Sequence, residues 1–197
     1  VWVVGDETKK GTESLSSFKQ AMYFKEIGFN VHDTMLFKKK NPIPQNHNRY
    51  EQCFEYMFVF VKGRLNTFNP IMVDTKNKGK SFDWGRDAKM DDKQCRRVRG
   101  TDIIKVKSQK IHENIFEYYV GGDSMGHPAV FPYQLAEDMV RSWSNEGDTV
   151  LDPFMGSGTT GLACMNTNRN FIGIEIYPRY YEMSKSRLKN TVTATLL

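Results

Sequence analysis

The sequence predicts an α/β protein: a mostly parallel sheet with helices on both faces, wound in the Rossmann-like manner. Three observations carry that prediction. The last third alternates strand-like and helix-like stretches, "TVLDPF", "GLACMNT", "NFIGIEI" and "YPRYYEMSKSRLKN", and such alternation builds a parallel, doubly wound sheet. Between the first strand and the first helix of that series lies Gly156-Ser157-Gly158-Thr159-Thr160-Gly161, a glycine turn where α/β sheets bind nucleotides. The chain also opens on a strand followed by a helix.

Taken in order, Val1–Val4 is a short strand of buried type. "TESLSSFKQAMYFKEIGF" has helical periodicity, with Leu15, Phe18, Met22 and Ile27 expected on one buried face and Gly28 as the stop. "NVHDTMLFKK" reads as a strand, and "KNPIPQNHN" as a loop punctuated by Pro42 and Pro44. "QCFEYMFVFVK", rich in aromatic and β-branched residues, is another strand. Loop-rich sequence follows, with strands expected at "DIIKVK" and "IFEYYV". "HPAVFPYQLAEDMVRSW" returns to helical spacing. Pro132 suits its first turn, and Leu135, Met139, Val140 and Trp143 form its expected buried stripe. There are no repeats and no low-complexity tracts.

Composition narrows the class. A chain of 197 residues with 39% hydrophobic content can bury a core, and a single domain with an insertion is expected. No apolar run approaches the roughly 18 residues of a membrane span, and "VWVV" lacks the basic leader of a secretory signal. Cys53, Cys95 and Cys164 are far apart, which argues against a disulfide framework or a zinc site and fits a reducing, cytoplasmic setting without a bound metal. The chain begins at Val1 in what reads as mid-strand, so an upstream part is expected. The net charge of +5 is local: residues 62–126 hold 14 Lys and Arg against 9 Asp and Glu, and the remainder holds 14 of each. A localised basic excess suits a polyanion such as nucleic acid, or is a solvated lysine-rich face.

The glycine turn has the context its chemistry needs. Glycines allow the tight turn and close backbone approach to a ligand. The next strand ends in Glu175, 19 residues beyond Gly156, where a carboxylate can accept both ribose hydroxyls of an adenosine group. No Lys follows the glycines, which disfavours a P-loop. NAD and S-adenosylmethionine both fit the spacing, and "DPF" decides between them. A dinucleotide needs a helix N-terminus free for its pyrophosphate. Asp152 would repel that group and would suit the ammonium of S-adenosylmethionine.

With "VLDPFMGSGTT", "NFIGIEI" and "YYEMSKSRL" together, the chain resembles the amino-methylating DNA methyltransferases, which modify adenine N6 or cytosine N4. "HPAVFPYQLAEDMVRSWSNEGD" is similar to the family's helix upstream of the glycine motif. "GFNVHDTMLFKKKNPIP" and "RYEQCFEYMFVFVKG" are similar to its strands on the target-base side. The resemblance covers about two thirds of the chain, in order. It implies three segments: 1–61, the end of the catalytic half; 62–126, a basic target-recognition insertion; and 127–197, the S-adenosylmethionine half of the same sheet. The family's Asp-or-Ser-Pro-Pro-aromatic signature is absent. It would precede "VWVVGD", so the resemblance implies a methyltransferase truncated near its catalytic loop.

The resemblance also assigns residues. For the cofactor it implies Asp152, Pro153, Phe154, Gly156, Ser157, Gly158, Thr159 and Glu175, with His127, Pro128 and Phe131 covering the other side. For a target base flipped from the duplex it implies a lining of Phe37, Lys38, Asn41 and Pro42. Phe37 has a second reading as strand core, and that reading dominates for Phe54, Phe58 and Phe60. For DNA, the basic segment offers Arg86, Lys89, Arg96, Arg97, Arg99, Lys105 and Lys107, its lysines neutralising phosphates and its arginines reading guanine edges. Double-stranded DNA is the expected partner, with a restriction endonuclease as an associated one. The rival functions are a non-catalytic remnant, an RNA methyltransferase and an NAD-dependent oxidoreductase.

Overall fold

The computed structural model describes residues 1–42, 44, 48–83, 86–87, 97–98, 103–121 and 131–195, with backbone alone at 82–83, 86–87, 97–98, 103–105 and 191–195. It forms two compact units, Val1–Asn69 with Glu113–Leu197, and Pro70–His112. Along the chain the elements are β1 (Trp2–Val4), β2 (Thr8–Lys9), β3 (Thr12–Glu13), α1 (Ser16–Glu26), β4 (Asn30–Lys39), β5 (Phe54–Val61), β6 (Met72–Asp74), β7 (Ser81–Asp83), β8 (Arg86–Asp87), β9 (Arg97–Val98), β10 (Ile103–Lys105), β11 (Gln109–Ile111), β12 (Ile115–Tyr118), α2 (Tyr133–Trp143), β13 (Thr149–Asp152), α3 (Thr159–Asn166), β14 (Asn170–Gly173) and α4 (Pro178–Thr195).

The larger unit holds a four-stranded sheet in the order β1-β5-β4-β12 and a separate pair, β13-β14. β5 runs antiparallel to both β1 and β4, whereas β12 is parallel to β4 and β14 is parallel to β13. The expected mostly parallel sheet is therefore corrected to a mixed one. The reason lies in the link between β4 and β5, which holds no helix among its described residues. A parallel return needs a crossover, usually helical, and without one the chain doubles back antiparallel.

Register decides which side chains share a face. Trp2 and Thr34 both pair with Phe58, so they lie with Tyr56 and Phe60 on one side of the sheet. α1 covers that side: Phe18 meets Tyr56 edge-on at 5.2 Å, and Phe24 stacks on Phe60 at 4.4 Å. The other side carries Met35, Phe37, Met57 and Phe116, all buried. There the Tyr118 hydroxyl donates to Asp138 of α2. Helices thus cover both faces.

α1 turns a different face inward from the one its bulk suggests. Leu15, Phe18, Met22 and Ile27 are 47–57% exposed, and the buried positions are Ser17 and Ala21. Two small residues one turn apart let the helix backbone sit close to the sheet, so the larger residues stand at its flanks. Its start is capped from a distance. Leu15, at φ 51°, offers no side-chain cap, and Asp6 supplies one by accepting the Ser17 amide and the Ser16 hydroxyl, each at 3.0 Å. The stop is as expected: Gly28 takes φ 95°, and the Phe29 amide reaches back to the Phe24 carbonyl at 2.9 Å.

α2 buries Leu135, Met139 and Val140 of the predicted stripe, with Ala136 beside them, whereas Trp143, its fourth expected member, is half-buried. Each fully buried Leu or Met contributes about 1.5–3 kcal/mol. Ala136 and Val140 meet Ala163 and Cys164 of α3, and Val150 and Phe171 close that core from the β13-β14 pair. In the smaller unit, antiparallel pairs nest in sequence: β6 with β11, β7 with β10 and β8 with β9. Among the described residues no helix is long and apolar enough to cross a membrane.

Candidate cofactor site

The glycine turn sits where β13 hands over to α3. Gly156 and Gly158 take φ 49° and 80°, values that L side chains rarely adopt. A Cβ on Gly158 would stand 2.9 Å from the Ser184 Cβ of α4, and one on Gly161 would stand 2.7 Å from Cε1 of Phe171. These glycines hold the helices close as well as shaping the turn.

Two carboxylates brace the turn. Asp152 Oδ1 accepts the Phe154 amide at 3.0 Å and its Oδ2 accepts the Thr160 hydroxyl at 2.6 Å. Glu175 Oε2 accepts the Gly156 amide at 2.9 Å, while Oε1 accepts the Tyr177 amide at 2.9 Å. A carboxylate has about four acceptor positions, so each group retains capacity toward a ligand. Ser157 and Thr159 are buried, and their oxygens face Arg187 of α4.

Beside the turn lies a cavity of ≈ 450 Å³, lined by Val1–Val3, Phe131, one face of α2, Thr149–Phe154 and Thr160. That volume falls within the range of small-molecule pockets. Its lining includes Asp152 and, among the described residues, no Lys or Arg. Such a donor set fits a cationic ligand and does not fit a pyrophosphate. Trp143 lines the same cavity, and its buried Nε1 has no acceptor among the described residues.

The structure brings some of the expected residues together and separates others. Asp152, Pro153, Phe154 and Phe131 line the cavity, whereas Gly156, Ser157, Gly158, Thr159 and Glu175 form the adjoining turn outside that lining. His127 and Pro128 lie outside the described residues. Phe37 is 2% exposed, packed at 6.3 Å from the Tyr118 ring in the core under α2. Lys38 is exposed and pairs with Glu117 at 2.7 Å. Asn41 grips the backbone of Val120, donating to its carbonyl at 2.7 Å and accepting its amide at 2.8 Å, and Pro42 follows, half-buried. None of these four lines the cavity. Among the DNA candidates, Lys107 is exposed in the smaller unit. Arg86, Arg97 and Lys105 are described by backbone alone, and Lys89, Arg96 and Arg99 lie outside the described residues.

Sequence reasoning missed Trp2 and Arg187. Trp2 lines the cavity, meets Phe154 edge-on at 5.7 Å, and donates its indole N–H to Gln20 at 2.7 Å. No local pattern flags a residue so far in sequence from the turn. Arg187 is three positions after Ser184 on α4, and only the close approach of that helix to the turn reveals it.

A glycine turn opening a helix, a carboxylate at or just past each strand end and an adjoining cavity that includes Asp152 are the features of a Rossmann-like methyltransferase domain. Residues 1–186 match the N6/N4 DNA methylase family. The chain is 46% identical over 202 residues to the orphan methyltransferase M.BamHII of Bacillus amyloliquefaciens, covering 98% of this chain and 75% of that one. It spans about half the length of other curated Type II methyltransferases it matches. The crystal structure of the M1.HpyAVI-SAM complex is similar at TM-score 0.59 and 31% identity, over 93% of this chain and 72% of that one. PvuII DNA methyltransferase (cytosine-N4-specific) shares the fold at TM-score 0.64 and 20% identity, over 93% and 61%. The chain belongs to the N6/N4 family: it is a methyltransferase of the class that moves a methyl group from S-adenosylmethionine to the exocyclic amine of a DNA base.

Proposed function

We propose that the methyl acceptor is adenine N6 in preference to cytosine N4, the former being the commoner target in the family. The observation that supports the cofactor assignment on this chain is the cavity beside the glycine turn, with Asp152 and, among the described residues, no Lys or Arg in its lining. When bound, S-adenosylmethionine supplies a methyl group on a positively charged sulfur, an electrophile in its own right. Asp152 holds the ammonium of the cofactor's amino-acid end. Glu175 takes its ribose hydroxyls. Phe131, Pro153 and Phe154 give the apolar walls, with His127 and Pro128 on the covering side. Gly156, Ser157, Gly158 and Thr159 set the backbone approach.

An exocyclic amine is a poor nucleophile because its lone pair is delocalised into the ring, so in-line positioning and polarisation of that amine carry the rate. The segment 1–61 provides the target-base side, with Lys38, Asn41 and Pro42 at and just after the end of β4 and Phe37 packed in the core beneath them. The segment 62–126 carries the whole net +5. Its Arg86, Lys89, Arg96, Arg97, Arg99, Lys105 and Lys107 contact duplex DNA, and the segment 127–197 holds the cofactor. Binding through phosphates is salt-dependent. The protein works in the cytoplasm of a bacterium or a phage-infected cell. A restriction endonuclease is an associated partner in many such systems, although M.BamHII is described as an orphan.

The test is transfer of tritiated methyl from S-adenosylmethionine to duplex DNA by the full-length gene product, followed by separation of the nucleosides. Label in N6-methyladenosine is expected. Label in N4-methylcytidine would reassign the base. A folded protein that binds S-adenosylmethionine and labels no DNA would move the reading to an RNA enzyme or a non-catalytic remnant.

A further inference from the structure

We propose that Arg187 is a positioning residue for the cofactor, one that holds the glycine turn in its binding shape without touching the ligand. The proposal rests on the cofactor reading of that turn. Arg187 Nη1 donates to the Ser157 carbonyl at 3.2 Å, the Ser157 hydroxyl at 3.4 Å and the Thr159 hydroxyl at 3.3 Å. The receiving residues are buried, at 4% and 3% exposure, so water cannot readily replace the guanidinium. The peptide linking Ser157 to Gly158 is then fixed on both sides. Its carbonyl is held by Arg187, and its N–H donates to the Met155 carbonyl at 2.8 Å.

Three further contacts make this arrangement specific to the turn. Gly158 sits at φ 80° against Ser184, whose hydroxyl donates to the Tyr181 carbonyl at 2.8 Å. At the other end of the turn the Gly156 amide is held by Glu175 at 2.9 Å. A donor on α4 and an acceptor after β14 therefore clamp the four residues between them. Without Arg187 the Ser157–Gly158 peptide would lose one of its two restraints, and glycine flanks make its rotation easy. The cofactor would then meet a turn it must first order, which weakens apparent affinity by the fraction of time the competent shape is populated.

The experiment compares the whole chain with R187A and R187K by calorimetric titration of S-adenosylmethionine, and by hydrogen exchange at the Gly156 and Gly158 amides without ligand. R187A is expected to bind S-adenosylmethionine about tenfold more weakly and to exchange the Gly158 amide faster, with the β4 and β5 amides unchanged. R187K, whose ammonium donates from a single point, is expected to restore part of the affinity. Unchanged affinity in folded R187A, or faster exchange spread evenly over the sheet, would reduce Arg187 to helix packing and overturn the proposal. If R187A does not fold, R187K decides: affinity and Gly158 exchange equal to wild type overturn the proposal, and intermediate values for both support it. A wild-type chain that fails to bind S-adenosylmethionine overturns the cofactor reading itself, and this inference with it.

Discussion

The Glu175 carboxylate reaches from the end of one strand to accept the amide of Gly156, 19 residues earlier, at 2.9 Å. One acid thus ties the two strand ends that flank the cofactor turn, and its second oxygen holds the Tyr177 amide. Glu175→Ala removes the proposed ribose acceptor and releases both amides. Hydrogen bonds to a charged group contribute about 1.5–3 kcal/mol, so affinity for S-adenosylmethionine should fall roughly 10- to 100-fold. Calorimetric titration checks it, and affinity within twofold of wild type would contradict the assignment.

Gly158→Ala should be among the most damaging small changes in the turn. The left-handed conformation costs about 1–2 kcal/mol for an L residue, and the new Cβ would press on Ser184 at 2.9 Å, adding about 1–3 kcal/mol of overpacking. For a chain of this size the melting temperature should drop roughly 5–15 °C. Gly28→Ala meets no atom within 4 Å and should show only the conformational part.

Asp6 couples α1 to pH. Desolvation pushes its carboxyl upward, but hydrogen bonds from Ser17, Ser16 and Ser14 outweigh that and hold it below the ordinary Asp value. A lowered folded value means the contribution is fully present above the unfolded pKa of about 3.9 and is lost as pH falls through the folded one. Asp6→Ala should therefore cost about 0.5–2 kcal/mol at pH 7. The gap between variant and wild type should close as urea titrations move into strong acid, and a gap constant from pH 7 to pH 3 would rule out this cap.

The described cysteines should differ sharply in reactivity. Burial pushes the Cys164 thiol up to about 11, only partly offset by Arg169, and the residue is fully buried. Cys53 is half-buried. Iodoacetamide at pH 8, read by peptide mass spectrometry, should modify Cys53 well before Cys164, because the thiolate is the nucleophile. Equal rates in the folded protein would contradict the packing of α3.

Asn41 makes two hydrogen bonds to one backbone unit, that of Val120, fastening the chain after β4 to the chain after β12. At about 0.5–1.5 kcal/mol each, Asn41→Ala should lose roughly 1–3 kcal/mol in urea unfolding. An unchanged midpoint would show that this pair of hydrogen bonds adds nothing to stability.

The glycine turn was readable because its determinants are local: strand, glycines and helix are contiguous, and Glu175 lies two residues past the next strand. The stripe of α2 was readable because Leu135, Met139 and Val140 are large and periodic. α1 was misread by the same logic. Leu15, Phe18, Met22 and Ile27 look like a core face, yet closeness to the sheet is won by Ser17 and Ala21, whose smallness carries no hydrophobic signal. The antiparallel placement of β5 and the nearness of Trp2 to Phe154 depend on contacts between distant parts of the chain, which spacing alone does not encode. The site's outer residues follow the same division: Arg187 reaches the turn and Trp2 the cavity only through the fold, and neither carries a motif.

In the smaller unit the two ends of the chain segment meet. The His112 amide donates to the Ile71 carbonyl at 2.8 Å, so the chain leaves beside the point where it came in. Between those two residues it runs out and back as nested antiparallel pairs. A segment whose ends close on each other can be lengthened, trimmed or exchanged as a cassette with little demand on its host. On the proposed division of labour, specificity could then diversify by wholesale replacement of residues 70–112, while the turn around Gly156 and its partner Glu175 stayed as they are.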